Sequence, residues 1–254
     1  TVLVVFLPIS QLVLGSFTRF FGVFEAGFTL DHYSSVLHNG QLLRALRNSA
    51  VLGTIGATLA LLLSGLVAYV IARGRTVPRW VRITLNFLSW LPLTVPGIVL
   101  ALGFLWLYAF APIPLYATRV GLVIAYVVLV LPLAARAMVG SLSQISADIE
   151  EAGRVAGSGW LRTVVTILIP LIWPSAMVAW ILAFVGIFRD LSTSVLLVPP
   201  GQPVFSTALL ELWGVGKIEE VCVLSVLAML PMVVARYLVG RLQGYEMRMR
   251  STSR

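Results

Sequence analysis

The chain has 254 residues, of which 59% are hydrophobic and only 11% charged, with a formal net charge of +8. Ordinary soluble domains are about 45–50% apolar and about 25% charged, and a core of this size cannot hide the surplus from water. A water-soluble globule is excluded and lipid is the solvent. The positive charge sits at the ends of apolar segments, which is a topology signal, and nucleic acid is excluded as a partner.

A spanning helix needs about 20 predominantly apolar residues. Six segments approach or meet that length: Val2–Phe17, Ser49–Ala72, Ile83–Phe110, Val120–Met138, Thr166–Phe188 and Val221–Leu238. Runs such as VLGTIGATLALLLSGLVAYVIA do not alternate, so a β-barrel is excluded and the expected class is all-α, one polytopic domain over 1–254. The first segment (1–17) starts without Met, basic n-region or cleavage site and reads as a helix already under way in a longer polypeptide. Core spans two to six occupy about 47–240, a loop at 141–165 separates spans four and five, and 241–254 is a tail.

The basic residues set the orientation. Arg73, Arg75, Arg79 and Arg82 follow the second span, Arg136 precedes the 141–165 loop with Arg154 and Arg162 inside it, and Arg236, Arg241, Arg248, Arg250 and Arg254 close the chain. The opposite side holds Arg19, Arg44, Arg47, Arg119, Arg189 and Lys217. The positive-inside tendency then places the loop, the tail and both termini in the cytosol. Thr18–Asn48 and Pro199–Glu220 are the external loops, and VPPGQP in the latter cannot be helix.

Prolines interrupt the spans: Pro92 and Pro96 (followed by Gly97) in the third, Pro132 in the fourth, Pro170 and Pro174 in the fifth, and Pro231 in the sixth. Such breaks either shape packing or border a water-lined cavity. Pro92, Pro96 and Gly97, with Arg189 and Asp190 at the outer end of span five, are the candidate path or gate residues. The alternative for Arg189 and Asp190 is an interfacial ion pair with a snorkelling arginine.

Catalytic equipment is missing. Gly216-Lys217 echoes a phosphate loop, but Glu211 replaces the first glycine and Ile218 the hydroxyl that would hold magnesium. His32 and His38 are six apart in an external loop and share no helical face, so no metal site is expected. Cys222 is the only cysteine. No ionisable group reads as lying well inside a span, which argues against a self-sufficient secondary transporter, and no filter motif supports a channel.

The 141–165 loop is different in kind. Leu142, Ile145, Ile149, Ala152 and Val155 recur at spacings of three and four, marking an apolar helical face. Ser146 can cap the helix, Asp148, Glu150 and Glu151 sit at its positive end, and Glu150 and Arg154 can pair on the polar face. Gly157-Ser158-Gly159 stops it, because glycine accepts the left-handed conformation of a helix end. The helix, 147–156, would be about 15 Å long. A second helical stretch starts near Trp160. An amphipathic loop lying on lipid is the bland alternative, but such helices are usually basic, and this one is acidic.

These residues carry a resemblance. Glu151-Ala152-Gly153, three residues, Gly157, nine residues, then Ile167-Leu168-Ile169-Pro170 resembles the E-A-A … G … I-x-L-P signature loop of permease subunits of binding-protein-dependent ABC importers. Gly153 for the second alanine and Ile169 for the leucine are its two departures. Arg47–Arg73 and Leu91–Gly103 are similar to the family's opening core helix and proline-kinked third span. Phe188–Gly201 resembles ferric-iron-type permeases, near relatives for polyamines, thiamine and phosphonates. The start of the chain looks like the second half of double-length fusions.

The resemblance implies a non-enzymatic permease of the bacterial inner membrane, half of a path completed by a second permease half, fused or separate. It implies no cofactor on this chain. ATP is used by a separate nucleotide-binding subunit seated under the loop, and an extracytoplasmic binding protein delivers the cargo, which the resemblance of Phe188–Gly201 makes ferric iron, with polyamine, thiamine or phosphonate as alternatives. Glu151, Ala152, Gly153, Arg154, Gly157, Ile167 and Pro170 would form the coupling contact.

Overall fold

The computed structural model describes residues 2–74, 77–110, 112 and 114–252, with side chains throughout except at 2–5, 24–26, 154, 235, 236, 238, 239 and 241–252. The class is all-α, with one small hairpin. Helix α1 (Val2–Phe17) leads into strands β1 (Thr18–Phe20) and β2 (Val23–Phe28), paired antiparallel with Thr18 opposite Phe28 and Phe20 opposite Val23. Gly22, at φ +80°, makes the turn between them. Helix α2 (Asp31–His38) follows, so the expected external loop is largely structured. The hairpin is tied down where Phe21 donates its backbone N–H to Glu219 at 2.7 Å. Ser35 and Lys217 both donate to Oε1 of the buried Glu220, at 3.1 and 2.8 Å.

Helix α3 (Gly40–Arg73) starts nine residues before the second expected span, because the Asn39 side chain accepts the N–H groups of Gln41 and Leu42 and caps it. Its buried face is a run of small residues, Gly53, Gly56, Ala57, Ala60, Ser64 and Ala68. Small residues let membrane helices approach closely. A Cβ on Gly56 would lie 2.7 Å from Cδ1 of Ile187, and one on Gly53 3.1 Å from the Phe184 ring.

The third expected span is not a kinked helix but two helices, α4 (Arg79–Thr94) and α5 (Gly97–Phe110), bent by 108°. The break is at Val95, forced into extended geometry (φ −99°, ψ 131°) by the following Pro96. Pro92 remains inside α4.

Helix α6 (Arg119–Ser143) is capped by the Thr118 hydroxyl and runs five residues past the expected fourth span. After the loop come α7 (Asp148–Val155) and α8 (Trp160–Thr163). A π turn (Val164–Leu168) then joins α8 to α9 (Ile169–Phe188), so the fifth span is a rod from Trp160 to Phe188. Helices α10 (Ser192–Leu197) and α11 (Phe205–Gly214) cover the outer end. Helix α12 (Ile218–Thr252) runs unbroken over the sixth expected span and on through the expected tail to Thr252.

Helices α3, α6 and α9 pack on one another and form the core, with α4 against α6, α5 against α10, and α1 against α12. Tyr126, Leu122 and Phe188 are fully buried there, and Trp180, Phe184, Phe188 and Phe205 form a chain of ring contacts. Among the described residues three helices (Gly40–Arg73, Arg119–Ser143 and Trp160–Phe188) are long and apolar enough to cross a membrane, and the bent pair makes a fourth if counted as one span. The first expected segment is a shorter apolar helix.

Candidate coupling site

The segment between α6 and α9 carries α7, outside the candidate spans, and α8, at the start of the Trp160–Phe188 rod. Its first turn is organised locally: the Ser146 hydroxyl donates to Asp148 Oδ2 at 2.8 Å and accepts the Asp148 N–H at 3.3 Å. Asp148, Glu150 and Glu151 occupy the first turn of α7, where the helix dipole favours negative charge. At the other end Gly157 takes φ +79°, and Ser158 donates its N–H to the Gly153 carbonyl at 3.0 Å, the long bond of a Schellman stop. The expected helix and glycine stop are both present.

What holds α7 to the membrane domain lies elsewhere in the sequence. Arg73, in the last turn of α3, places Nε 2.8 Å from Oε1 of Glu150. The contact is an ion pair rather than a directed hydrogen bond, since neither atom has a hydrogen-bond partner. The Arg73 Nη2 group donates to the carbonyls of Leu142, at 3.1 Å, and Ile145. One guanidinium thus closes the end of α6 and the start of α7 together. One turn earlier on α3, the Tyr69 hydroxyl accepts the Trp160 indole N–H at 2.6 Å, with the rings edge to face. Helix α3 therefore grips the loop on both sides.

This corrects one expectation. Glu150 does not lie on an exposed polar face; it is buried against Arg73, because a buried carboxylate needs a cation and Arg73 supplies it. The Arg154 side chain lies outside the described residues. The apolar stripe also divides: Leu142 is buried, whereas Ile149, Ala152 and Val155 are exposed, Val155 at 90%.

Gly153 faces inward. A Cβ there would lie 3.2 Å from the Thr163 hydroxyl and 3.4 Å from Ile167, so its smallness serves the packing of α7 on α8. Glu151, Ala152 and Gly157 are exposed, Ile167 is half-buried, and Pro170 is exposed near the start of α9. The exposed face of α7 is thus Glu151, Ala152 and Val155, continued by Ala156 and by Leu161 of α8.

The expected path residues gather only in part. Gly97 begins α5 directly against Ser192 of α10, 3.3 Å from where its Cβ would be. That brings the Pro96–Gly97 break beside the Arg189–Asp190 corner. Asp190 does not pair with Arg189: Oδ2 accepts the Thr193 N–H at 2.9 Å, and the Asp190 carbonyl accepts the Ser194 and Ser206 hydroxyls at 2.6 Å each. Ser194 also meets the Tyr126 hydroxyl at 2.6 Å. Burial raises the Asp190 carboxyl above its ordinary pKa, partly opposed by its hydrogen bonds to Thr193 and Ser194. Arg189 is exposed, and Pro92 sits inside α4, before the break at Val95.

Sequence reasoning missed Arg73, Tyr69 and Trp160. The spacing of Tyr69 and Arg73, four apart on the last turns of a span, was the available signal, but it does not say what they face. It also counted Arg136 as a span end, whereas α6 continues to Ser143.

A family model described as "Binding-protein-dependent transport system inner membrane component" matches residues 60–245. PhnV of Salmonella typhimurium, named for a 2-aminoethylphosphonate transport system permease, is 27% identical over 87% of this chain and 82% of its own length. The spermidine/putrescine transport system permease PotC of Escherichia coli is 26% identical over 93% of this chain and 89% of its own. The ferric transport system permease FbpB of Actinobacillus pleuropneumoniae is 29% identical over 74% of this chain but only 27% of its own length. Among solved structures, a chain of a bacterial alginate ABC transporter in complex with an alginate-bound periplasmic protein aligns with a TM-score of 0.72 at 16% identity, over 93% of this chain and 88% of that one.

Proposed function

As a member of the family of binding-protein-dependent transport system inner membrane components, to which this chain belongs, it is an ABC-importer permease rather than an enzyme, and we propose that α7 is the seat of its ATP-hydrolysing partner. The single domain forms half of a substrate path, and a second permease half, on the same or another polypeptide, forms the rest. The observation that carries this reading is the two-sided grip of α3 on the loop, Arg73 on Glu150 and Tyr69 on Trp160, with Val155 and its neighbours left exposed. A segment gripped on one face and open on the other transmits force without flexing.

ATP binds the partner subunit, and this chain carries no cofactor of its own. Closure of the ATPase dimer displaces α7. The grip passes the displacement to α3, and the core trio rocks between inward-open and outward-open states. Glu151, Ala152, Arg154 and Gly157 supply the outer contact and its turn. Gly153, Ile167 and Pro170 support it from within. The Pro96–Gly97 break and the Arg189–Asp190 corner form the outer gate. Both termini are cytosolic, and a binding protein delivers cargo from outside.

The relatives' names divide the cargo among phosphonate, polyamine and ferric iron. The stretch Phe188–Gly201 points to iron by resemblance alone, and the charge of the core spans points instead to an anion.

The test is a cysteine at Val155 in the assembled transporter, cross-linked to the ATPase subunit. A cross-link whose yield changes with nucleotide supports the seat on α7. Absence of any cross-link, with the ATPase subunit still co-purifying, overturns it.

A further inference from the structure

Arg136 lies well inside α6, two turns or about 10 Å short of Ser143. Its Nη2 donates to Asn86 Oδ1 of α4 at 2.9 Å, and its guanidinium carbon stands 4.1 Å from the centre of the Trp90 ring. Those two neighbours occupy one face and one donor of a five-donor fork. One turn before Asn86 on the same side of α4, Arg82 has a buried Nε with no hydrogen-bond partner. Among the described residues neither arginine meets a carboxylate.

Charged groups carried inside spanning helices almost always turn to a bundle interior or a water-filled cavity. The side of α6 that carries Arg136 agrees, since it continues toward the cytosol through Gly140 and Ser143, both exposed, with nothing within 4 Å of a Cβ placed on Gly140. The cytoplasmic half of the α4–α6 face is therefore open at Gly140 and bears positive charge that no described carboxylate neutralises. None of the ten acidic residues falls in α3, α4, α5, α6 or α9.

Resting on the permease reading, we propose that Arg136, braced by Asn86 and Trp90, is a cargo contact on the cytoplasmic half of the path, and that the cargo is a small anion of the phosphonate or phosphate-ester class. A guanidinium fork matches two oxygens of such a group. A polyamine or an uncomplexed ferric ion would meet like charge with no carboxylate in the core spans to offset it.

The experiment uses the complete transporter, this chain with its second half, ATPase subunits and binding protein, in a strain lacking its own phosphonate, polyamine and ferric importers. Uptake of radiolabelled 2-aminoethylphosphonate, spermidine and ferric iron is measured for the wild type, R136K and R136Q. The expected result is uptake of the phosphonate alone. R136Q should raise its KM about tenfold or more, R136K less, with the ATPase subunit co-purifying in all three.

Uptake of spermidine or iron instead, no uptake of any probe by an assembled complex, or an unchanged KM in R136Q overturns the anion contact and leaves the permease reading standing. Loss of assembly in both variants makes Arg136 a clamp between α4 and α6 only and also overturns it. Failure of the wild-type chain to associate with an ATPase subunit sinks the permease reading itself.

Discussion

The Nε atom of Arg73 stands 2.8 Å from Oε1 of Glu150, joining the end of the second span to the start of the lever. Both side chains are largely buried, so the pair behaves unlike a surface ion pair. Removing one member leaves the other charged and desolvated, at a cost of about 3–5 kcal/mol. Arg73→Ala should therefore loosen the loop and expose it to limited proteolysis, with transport falling in parallel. Glu150→Gln should do less, and the reversal Arg73→Glu with Glu150→Arg should recover part of the loss. Equal protease resistance in Arg73→Ala and wild type would show that the pair holds nothing.

Gly153 and Gly157 should respond differently to substitution. At Gly153 a methyl group needs its neighbours to yield by a few tenths of an ångström, so Gly153→Ala should be close to neutral, in keeping with the alanine of the family pattern, whereas Gly153→Leu should push α7 off α8. At Gly157 nothing lies within 4 Å of a Cβ, and the obstacle is the φ of +79°. Gly157→Ala should cost about 1–2 kcal/mol from backbone strain alone, and Gly157→Asn less. Co-purification of the ATPase subunit and uptake rate are the readouts.

Within the core, Gly56 and Ile187 are a tight pair. Gly56→Ala places a methyl group 2.7 Å from Cδ1 of Ile187, and overpacking of this kind costs about 1–3 kcal/mol. Ile187→Val removes that carbon. The double variant should melt closer to wild type in detergent than Gly56→Ala alone, and additive losses would count against the contact.

Asp190 gives the outer corner a pH dependence. Burial raises its carboxyl pKa, so the folded corner favours the neutral form. The stability it contributes is full below the ordinary carboxylate pKa and is lost as pH rises through the raised value. Asp190→Asn keeps an oxygen for the Thr193 N–H and removes the titration. Its melting temperature should exceed that of the wild type at neutral pH, and the two profiles should converge in acid. A constant gap at all pH values would exclude the carboxyl as the cause.

Much of this architecture is legible from composition and spacing. Apolar runs betray the core helices because lipid demands them, and Gly157 and the acidic turn betray α7 because helix ends have local chemistry. The bend at Val95–Pro96 was visible only as a kink, since a proline announces a break but not its angle. The Arg73–Glu150 pair was not legible. Arg73 fits the rule that arginines gather at the cytosolic ends of spans, and Glu150 has a plausible local partner in Arg154, so nothing in one dimension favours the distant pairing. Arg136 was missed for a related reason: GSLSQ, after Met138, is polar enough to look like loop, yet α6 continues through Ser143.

The π turn ahead of Pro170 also fixes the phase of the fifth span. Proline has no N–H for the Thr166 carbonyl and would collide with it in a regular helix; the wider turn, with Ile169 donating to Val164, houses one surplus residue instead. A surplus residue rotates everything upstream by about 100° relative to everything downstream. With that offset Trp160 falls on the same side of the rod as Ala179, which is fully buried in the core. Without it the indole would point about a quarter-turn away from Tyr69. The proline at the close of the signature loop thus works as a vernier, setting the azimuth at which the lever meets its anchor.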